Sequence, residues 1–248
     1  MYRFRGYGST RMRARQATVP VAAIVAALVA ASAAPAARHA QMPSVHVAGS
    51  GSIVWPRVAV RASPSMRARV ITTMDEFTGS YRPQAVLALT ASRGASGKAA
   101  WYRISIPGRP NGRTGWVPAA SVQVTPVDRW LVIFRGTRRF EFFMRGKVVR
   151  SGPVAVGAPG METPLGLFYV QAKFRPSEPV LGAFAFQTSG YSKLSDWPGG
   201  GVVGVHGTNT PQLIGQAVSH GCVRLRNADV EFLRSRVLVG TPIKIVAS

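Results

Sequence analysis

The sequence predicts a mainly β protein built from two successive units. Three observations carry that reading. The 248 residues are 46% hydrophobic and only 16% charged, enough apolar mass for a core and too little charge for wholesale disorder. There are 26 Gly and 18 Pro, which favour short strands and turns over a helical bundle. The apolar runs are short and bounded by turn formers, and helical periodicity occurs only near the C terminus.

The first element is a leader. Arg3, Arg5, Arg11, Arg13 and Arg15 make a basic start, and no charge occurs from Gln16 to Ala37. Small residues cluster at Ala31-Ser32-Ala33 and Ala34-Pro35-Ala36. Basic, apolar, then small is the order of a secretory signal peptide, placed here at residues 1–37. Left uncleaved, the stretch would be a membrane anchor, though its Ala-rich character and Pro35 make it a weak span. Either reading predicts export, to the periplasm or cell wall, with membrane contact only if the leader is retained. Residues 38–52 are small and polar and read as a linker.

Residues 53–125 read as short strands at Val58–Val60, Val70–Met74, Ala85–Leu89, Trp101–Ile106 and Gly115–Val117. Turn formers separate them, including Ser63-Pro64-Ser65 and Pro107-Gly108-Arg109-Pro110-Asn111-Gly112. Strands this short suggest a small barrel. Val60-Arg61-Ala62-Ser63-Pro64-Ser65, with Ala59 where Asn is usual, resembles the opening of a bacterial SH3 domain. Trp101-Tyr102-Arg103-Ile104 and Gly112-Arg113-Thr114-Gly115-Trp116-Val117 resemble its closing hairpin. The resemblance implies a wall-binding or spacing role, with Trp101 and Trp116 either core aromatics or a ligand shelf.

Residues 126–248 form the second unit. Trp130–Phe134 and Phe140–Met144 lead through Arg145-Gly146-Lys147 into Val148-Val149, a hairpin layout. Further strands are expected at Leu167–Gln171, Ala183–Phe186, Val202–His206 and Pro242–Val246. One helix is expected after Asn227, its N-cap, with Asp229 and Glu231 near the positive end of the helix dipole. Val230, Leu233 and Val237 share one face, and Gly240 would end it.

Lys and Arg number 31, 26 of them Arg, against 9 acids. Residues 38–248 hold 26 basic and 9 acidic side chains, a net +17, spread as +8 over 53–125 and +8 over 126–248. An even spread argues against a nucleic-acid-binding stripe. It fits anionic cell-wall polymers, and equally an Arg-rich coding bias.

Cys222 is the only cysteine. A chain with the layout of an exported protein ordinarily uses cysteine in disulfides, which a lone one cannot form internally, and a free thiol there is open to oxidation. It sits in Ser219-His220-Gly221-Cys222-Val223-Arg224-Leu225, sixteen residues after His206 in Val205-His206-Gly207-Thr208. A thiol attacks as thiolate, and an imidazole nearby supplies a base and a stabilising charge, which predicts a lowered thiol pKa. Gly207 and Gly221 leave bare backbone where a substrate carbonyl would approach. His206, His220 and Cys222 could instead hold zinc, but no Glu lies between Pro179 and Glu231 to act as general base. No metal and no cofactor is expected. A buried structural Cys is the remaining alternative.

Residues 130–247 resemble the catalytic domain of bacterial L,D-transpeptidases, the YkuD family. The signature is His-Gly-Thr, a short gap, then Ser/Thr-His-Gly-Cys with Val or Ile and Arg or Asn following. It matches His206-Gly207-Thr208 and Ser219-His220-Gly221-Cys222-Val223-Arg224. An earlier segment matches Gly157, Thr163-Pro164-Leu165-Gly166 and Phe168, with Glu162 where Pro often stands, and a final one matches Gly240-Thr241-Pro242-Ile243-Lys244-Ile245.

The resemblance implies a YkuD-type β-sandwich with a short helix after the catalytic loop, acting on peptidoglycan stem peptides. Cys222 would be the nucleophile and His206 its base, held by the Gly207 carbonyl. His220 would position the site or the substrate, and the N–H groups of Gly221 and Cys222 would form the oxyanion hole. Arg224, Ser219 and Thr208 are the candidate substrate contacts, with Ser219 also bonding within its loop. Water in place of an acceptor amine would make the same site an L,D-carboxypeptidase, and a free D-amino acid would make it an exchanger. NlpC/P60 hydrolases place Cys before His, and sortases lack the His-Gly-Cys run. A non-catalytic wall-binding protein is the reading of a different class.

Overall fold

The computed structural model of the protein describes residues 45–196 and 199–248. The leader lies outside the described residues. The first unit is one antiparallel seven-stranded sheet. Its strands are β1 (Gly49–Ile53), β2 (Arg57–Arg61), β3 (Val70–Asp75), β4 (Ala85–Arg93), β5 (Ala99–Ser105), β6 (Thr114–Pro118) and β7 (Val122–Thr125), in the order β3-β2-β6-β5-β4-β1-β7.

β1 corrects the expected linker over residues 49–52. Gly49-Ser50-Gly51-Ser52 has little β-propensity of its own, and the strand exists because β4 and β7 pair with it on both sides. Glycine is required at position 51, where a Cβ would lie 1.6 Å from the Gln123 carbonyl oxygen. Trp101 and Trp116 do not join the core of Ile53, Val58, Val60, Ile104 and Val117. They are half-buried near Arg103, which faces Trp116 across the β5–β6 pair.

The second unit contains β8 (Arg129–Phe134), β9 (Arg139–Met144), β10 (Lys147–Pro153), β11 (Val156–Gly157), β12 (Gly166–Phe174), β13 (Ala185–Tyr191), β14 (Val202–His206), β15 (Ala217–Ser219), β16 (Val223–Arg224), α1 (Asn227–Arg234) and β17 (Pro242–Val246). Eight strands form one mixed sheet, β10-β9-β8-β17-β12-β13-β14-β16, and β11 pairs with β15 beside it. One face of the large sheet buries Leu131, Phe142, Val205 and Val223 together with Val230, Leu233 and Val237.

The helix is shorter than expected. Arg226 is its N-cap, Asn227 is its first residue, and it ends at Arg234 rather than running to Gly240. Asn227 does not cap, because its Oδ1 accepts from the N–H groups of Ala183 and Thr208, both at 3.1 Å. Asp229 is buried and accepts from Arg150 Nε at 2.8 Å, tying α1 to β10.

The first half of β4, Ala85 to Ala88, is buried on both sides. Val86 and Ala88 face the core of their own sheet, while Ala85 and Leu87 pack against Tyr169 of β12. Tyr169 is fully buried and its hydroxyl donates to the Ala85 carbonyl at 3.1 Å. Leu87→Ala should therefore destabilise both units together. Truncating a leucine at such a site costs about 2–5 kcal/mol. Urea unfolding followed by tryptophan fluorescence should show one transition displaced to lower urea; two separate transitions would contradict a shared core.

Candidate active site

The site is assembled where β14 runs parallel to β16, with His206 in register with Arg224. The N–H of Leu225 donates to the His206 carbonyl at 2.8 Å, and the N–H of Gly207 donates to Phe184 at 3.0 Å. The imidazole thus projects from backbone held on both flanks, and Cys222 sits just before β16 on the adjoining turn.

Thiol and imidazole both border Gly204. A Cβ there would lie 3.4 Å from His206 Cδ2 and 3.7 Å from Cys222 Sγ. Its N–H donates to Cys222 Sγ at 3.3 Å. A glycine inside a strand signals close approach of something else, a cue in the sequence left unused. Gly221 has φ +116°, and a Cβ on it would lie 2.7 Å from Ser192 Cβ, so the turn before Cys222 needs glycine for conformation and for space.

His206 is 3% exposed, and its Nδ1 lies 2.6 Å from the Gly207 carbonyl oxygen. A carbonyl only accepts, so Nδ1 carries the hydrogen and Nε2 keeps the lone pair. Burial, aided by the Arg224 charge, lowers the imidazole pKa to about 4 against the pull of the Gly207 and Leu181 carbonyls.

Cys222 is half-buried. Burial pushes its thiol up, opposed by the Gly204 N–H and the Arg224 charge. The expected lowering is therefore corrected: a neutral imidazole offers no cation to hold a thiolate, and desolvation penalises the charged sulfur.

Three other expectations are also corrected. The Gly221 N–H is engaged by Ser219 Oγ at 3.2 Å, which leaves Cys222 as the oxyanion-hole candidate of the pair. Ser219 is fully buried and its hydroxyl also donates to the Cys222 carbonyl at 2.5 Å, so it braces the turn and does not face a substrate. Thr208 is 2% exposed, and its hydroxyl bonds within the loop to Thr210 N–H at 3.1 Å and Thr210 Oγ1 at 3.0 Å.

Arg224 is half-buried, its backbone is paired in both directions with Ala155, and its Nε is buried with no hydrogen-bond partner among the described residues. His220 is half-buried within the same turn. Among the described residues, no cluster of three or more His, Cys, Asp or Glu is disposed to hold a metal. Sequence reasoning missed Asn227 as a brace. Its Oδ1 would lie 2.2 Å from a Cβ at Gly207 and 2.3 Å from one at Gly182.

With the thiol raised and the imidazole lowered, the resting pair is neutral. Alkylation of Cys222 by iodoacetamide should rise with pH to a midpoint above the ~8.5 of an ordinary thiol. Stopped-flow alkylation across pH checks this; a midpoint below neutrality would show a pre-formed thiolate.

Known proteins resemble this chain in sequence. The family model of the L,D-transpeptidase catalytic domain, YkuD, matches residues 128–245. The YkuD protein of Bacillus subtilis, provisionally named an L,D-transpeptidase, is 29% identical over 174 residues, covering 70% of this chain and 93% of its own. Its Bacillus licheniformis counterpart, with the same provisional name, is 30% identical over 176 residues, again 70% of this chain and 93% of its own. A solved L,D-transpeptidase from Mycobacterium smegmatis aligns at 17% identity and TM-score 0.42, over 66% of this chain and 90% of that one. On the family match and the near-complete coverage of its Bacillus relatives, the chain belongs to the YkuD family of L,D-transpeptidase catalytic domains.

Proposed function

We propose that the protein is a cysteine-dependent L,D-transpeptidase that forms peptidoglycan cross-links through a thioester on Cys222. The observation that carries the reading is that thiol and imidazole both border Gly204, with the Gly207 carbonyl leaving Nε2 of His206 as the base.

Sγ of Cys222 attacks the carbonyl carbon of the bond after the third residue of a stem tetrapeptide, and its proton passes to His206 Nε2. The N–H of Cys222 receives the developing oxyanion. As the C–N bond breaks, the imidazolium returns the proton to the departing D-Ala amine, leaving the thioester. An amine of a second stem then attacks the thioester. Its proton passes through Nε2 to the sulfur as the new amide forms and the thiol is released. His220 positions the turn or the substrate. Arg224, permanently charged, pairs with a stem carboxylate.

The basic surface holds the protein to anionic wall polymers after export, and the N-terminal sheet serves as an SH3-like wall module. The reading involves neither nucleic acid nor a cofactor.

Incubating purified wall tetrapeptides with residues 38–248 and analysing the products by mass spectrometry tests the reading. A cross-linked dimer with one D-Ala lost supports transpeptidation, whereas tripeptide alone would mean hydrolysis. Cys222→Ala should fold normally and release no D-Ala, since no other side chain can form the acyl link; turnover by that variant would remove the nucleophile assignment.

The pH profile gives a second check. His206 acts only when neutral, so kcat/KM should hold from pH 7 to 5 and fall as pH drops through about 4. An ordinary histidine would place that limb near ~6.5. Because the unfolded chain takes up that proton at the higher pH, folded stability declines from ~6.5 toward about 4, and fluorescence must confirm that the protein is folded at each point.

A further inference from the structure

The turn Pro107–Gly112 between β5 and β6 stands out in the sequence and has no part in the reaction described above. In the fold it leaves its own sheet and grips the segment that follows β13. Arg109 Nη1 donates to the Gly200 carbonyl at 2.8 Å, and Nη2 donates to the Ser192 and Leu194 carbonyls at 2.9 and 3.0 Å. The guanidinium also stacks 5.0 Å from the centre of the Tyr191 ring. Asn111 adds a reciprocal pair, its Nδ2 donating to the Tyr191 carbonyl at 2.7 Å and its Oδ1 accepting from the Tyr191 N–H at 3.0 Å. The approach is close enough that a Cβ at Gly201 would lie 2.5 Å from Arg109 Nη2.

The gripped segment is a wall of the catalytic turn. Ser192 is 5% exposed, its N–H donates to the Gly201 carbonyl at 2.8 Å, and its Cβ is the atom that excludes a side chain from Gly221, the neighbour of Cys222. A continuous set of contacts therefore runs from Arg109 through Ser192 to Gly221. Arg109, Asn111, Tyr191 and Ser192 also line a cleft of about 670 Å³ beside this segment. Three carbonyls converging on one side chain suit the fixed fork of a guanidinium. An ammonium, a point charge on a flexible stem, does not reproduce it.

We infer that Arg109 is a positioning residue for the reaction, through which the N-terminal sheet sets the Tyr191–Leu194 segment against the cysteine turn. The N-terminal sheet is then part of the catalytic unit and not only a wall-binding module. The activity arm of this inference rests on the function proposed above; the geometric arm does not.

The test uses Arg109→Gln and Arg109→Lys in the chain with both units present. Hydrogen exchange at Ser192–Leu194 should quicken at least about 10-fold in both. Because small misplacements near reacting atoms are costly, kcat/KM for transfer between wall tetrapeptides should fall by about 10- to 100-fold, while iodoacetamide alkylation of Cys222 stays within about 3-fold of wild type. The Lys variant should remain impaired, because it keeps the charge and loses the fork. Wild-type behaviour of Arg109→Lys, unchanged exchange in Arg109→Gln, or parallel loss of alkylation and transfer would each overturn the inference. If the Arg109 variants fail to fold, Asn111→Ala decides the question by the same readouts. A wild-type protein that transfers nothing would sink the proposed function, and exchange alone would then judge the clamp.

Discussion

Everything in the site depends on the parallel pairing of β14 with β16. His206 and Cys222 lie sixteen residues apart in the chain, and only the sheet makes them neighbours. Parallel strands need a crossover, and here the crossover is the loop that carries Ser219, His220 and Gly221 to the thiol. Asn227, at the start of α1, holds the beginning of that loop at Thr208, while Ser219 holds its end through the Cys222 carbonyl. The loop that ends at Cys222 is thus stretched between two hydrogen-bonded anchors, with glycine at 207 and 221, where a side chain would intrude.

Burial sets the electrostatics. The enclosure around the imidazole and the thiol strips both of water, driving each toward its neutral form. The Gly204 N–H and the Arg224 charge ease the sulfur's ionisation, and burial outweighs them. Such a site favours the protonated sulfur at rest. For a lone thiol that has a chemical advantage, because the thiolate is the form that oxidants attack.

The two histidines, the cysteine and their glycines stood out in the sequence as unusual residue types at close spacing, and the fold sets His206 and Cys222 on the adjoining strand and turn. Most strands were legible too, as short apolar runs between turn formers. What escaped notice has a common physical cause. β1 is written in Gly and Ser and exists only through its neighbours, a tertiary effect that local propensity does not carry. Asn227 carries the signature of a helix cap but is used across loops, and Ser219 and Thr208 look like substrate contacts until burial shows their hydroxyls engaged within the loops. Arg109 was one basic residue among many, and nothing local signals a partner 83 residues away.

The two-sided burial of β4 bears on how this chain can be divided. Cutting before β8 to isolate the catalytic unit would strip Ala85 and Leu87 from Tyr169. It would also take Val45 and Val47 away from the cluster of Trp130, Val132 and Phe143 on the large sheet. The fragment would present a contiguous aromatic and aliphatic patch to water, the kind of surface that drives self-association. A truncated catalytic domain of this protein would therefore be a sticky particle, and soluble expression would depend on keeping the N-terminal sheet or replacing the outward-facing aromatics with polar residues.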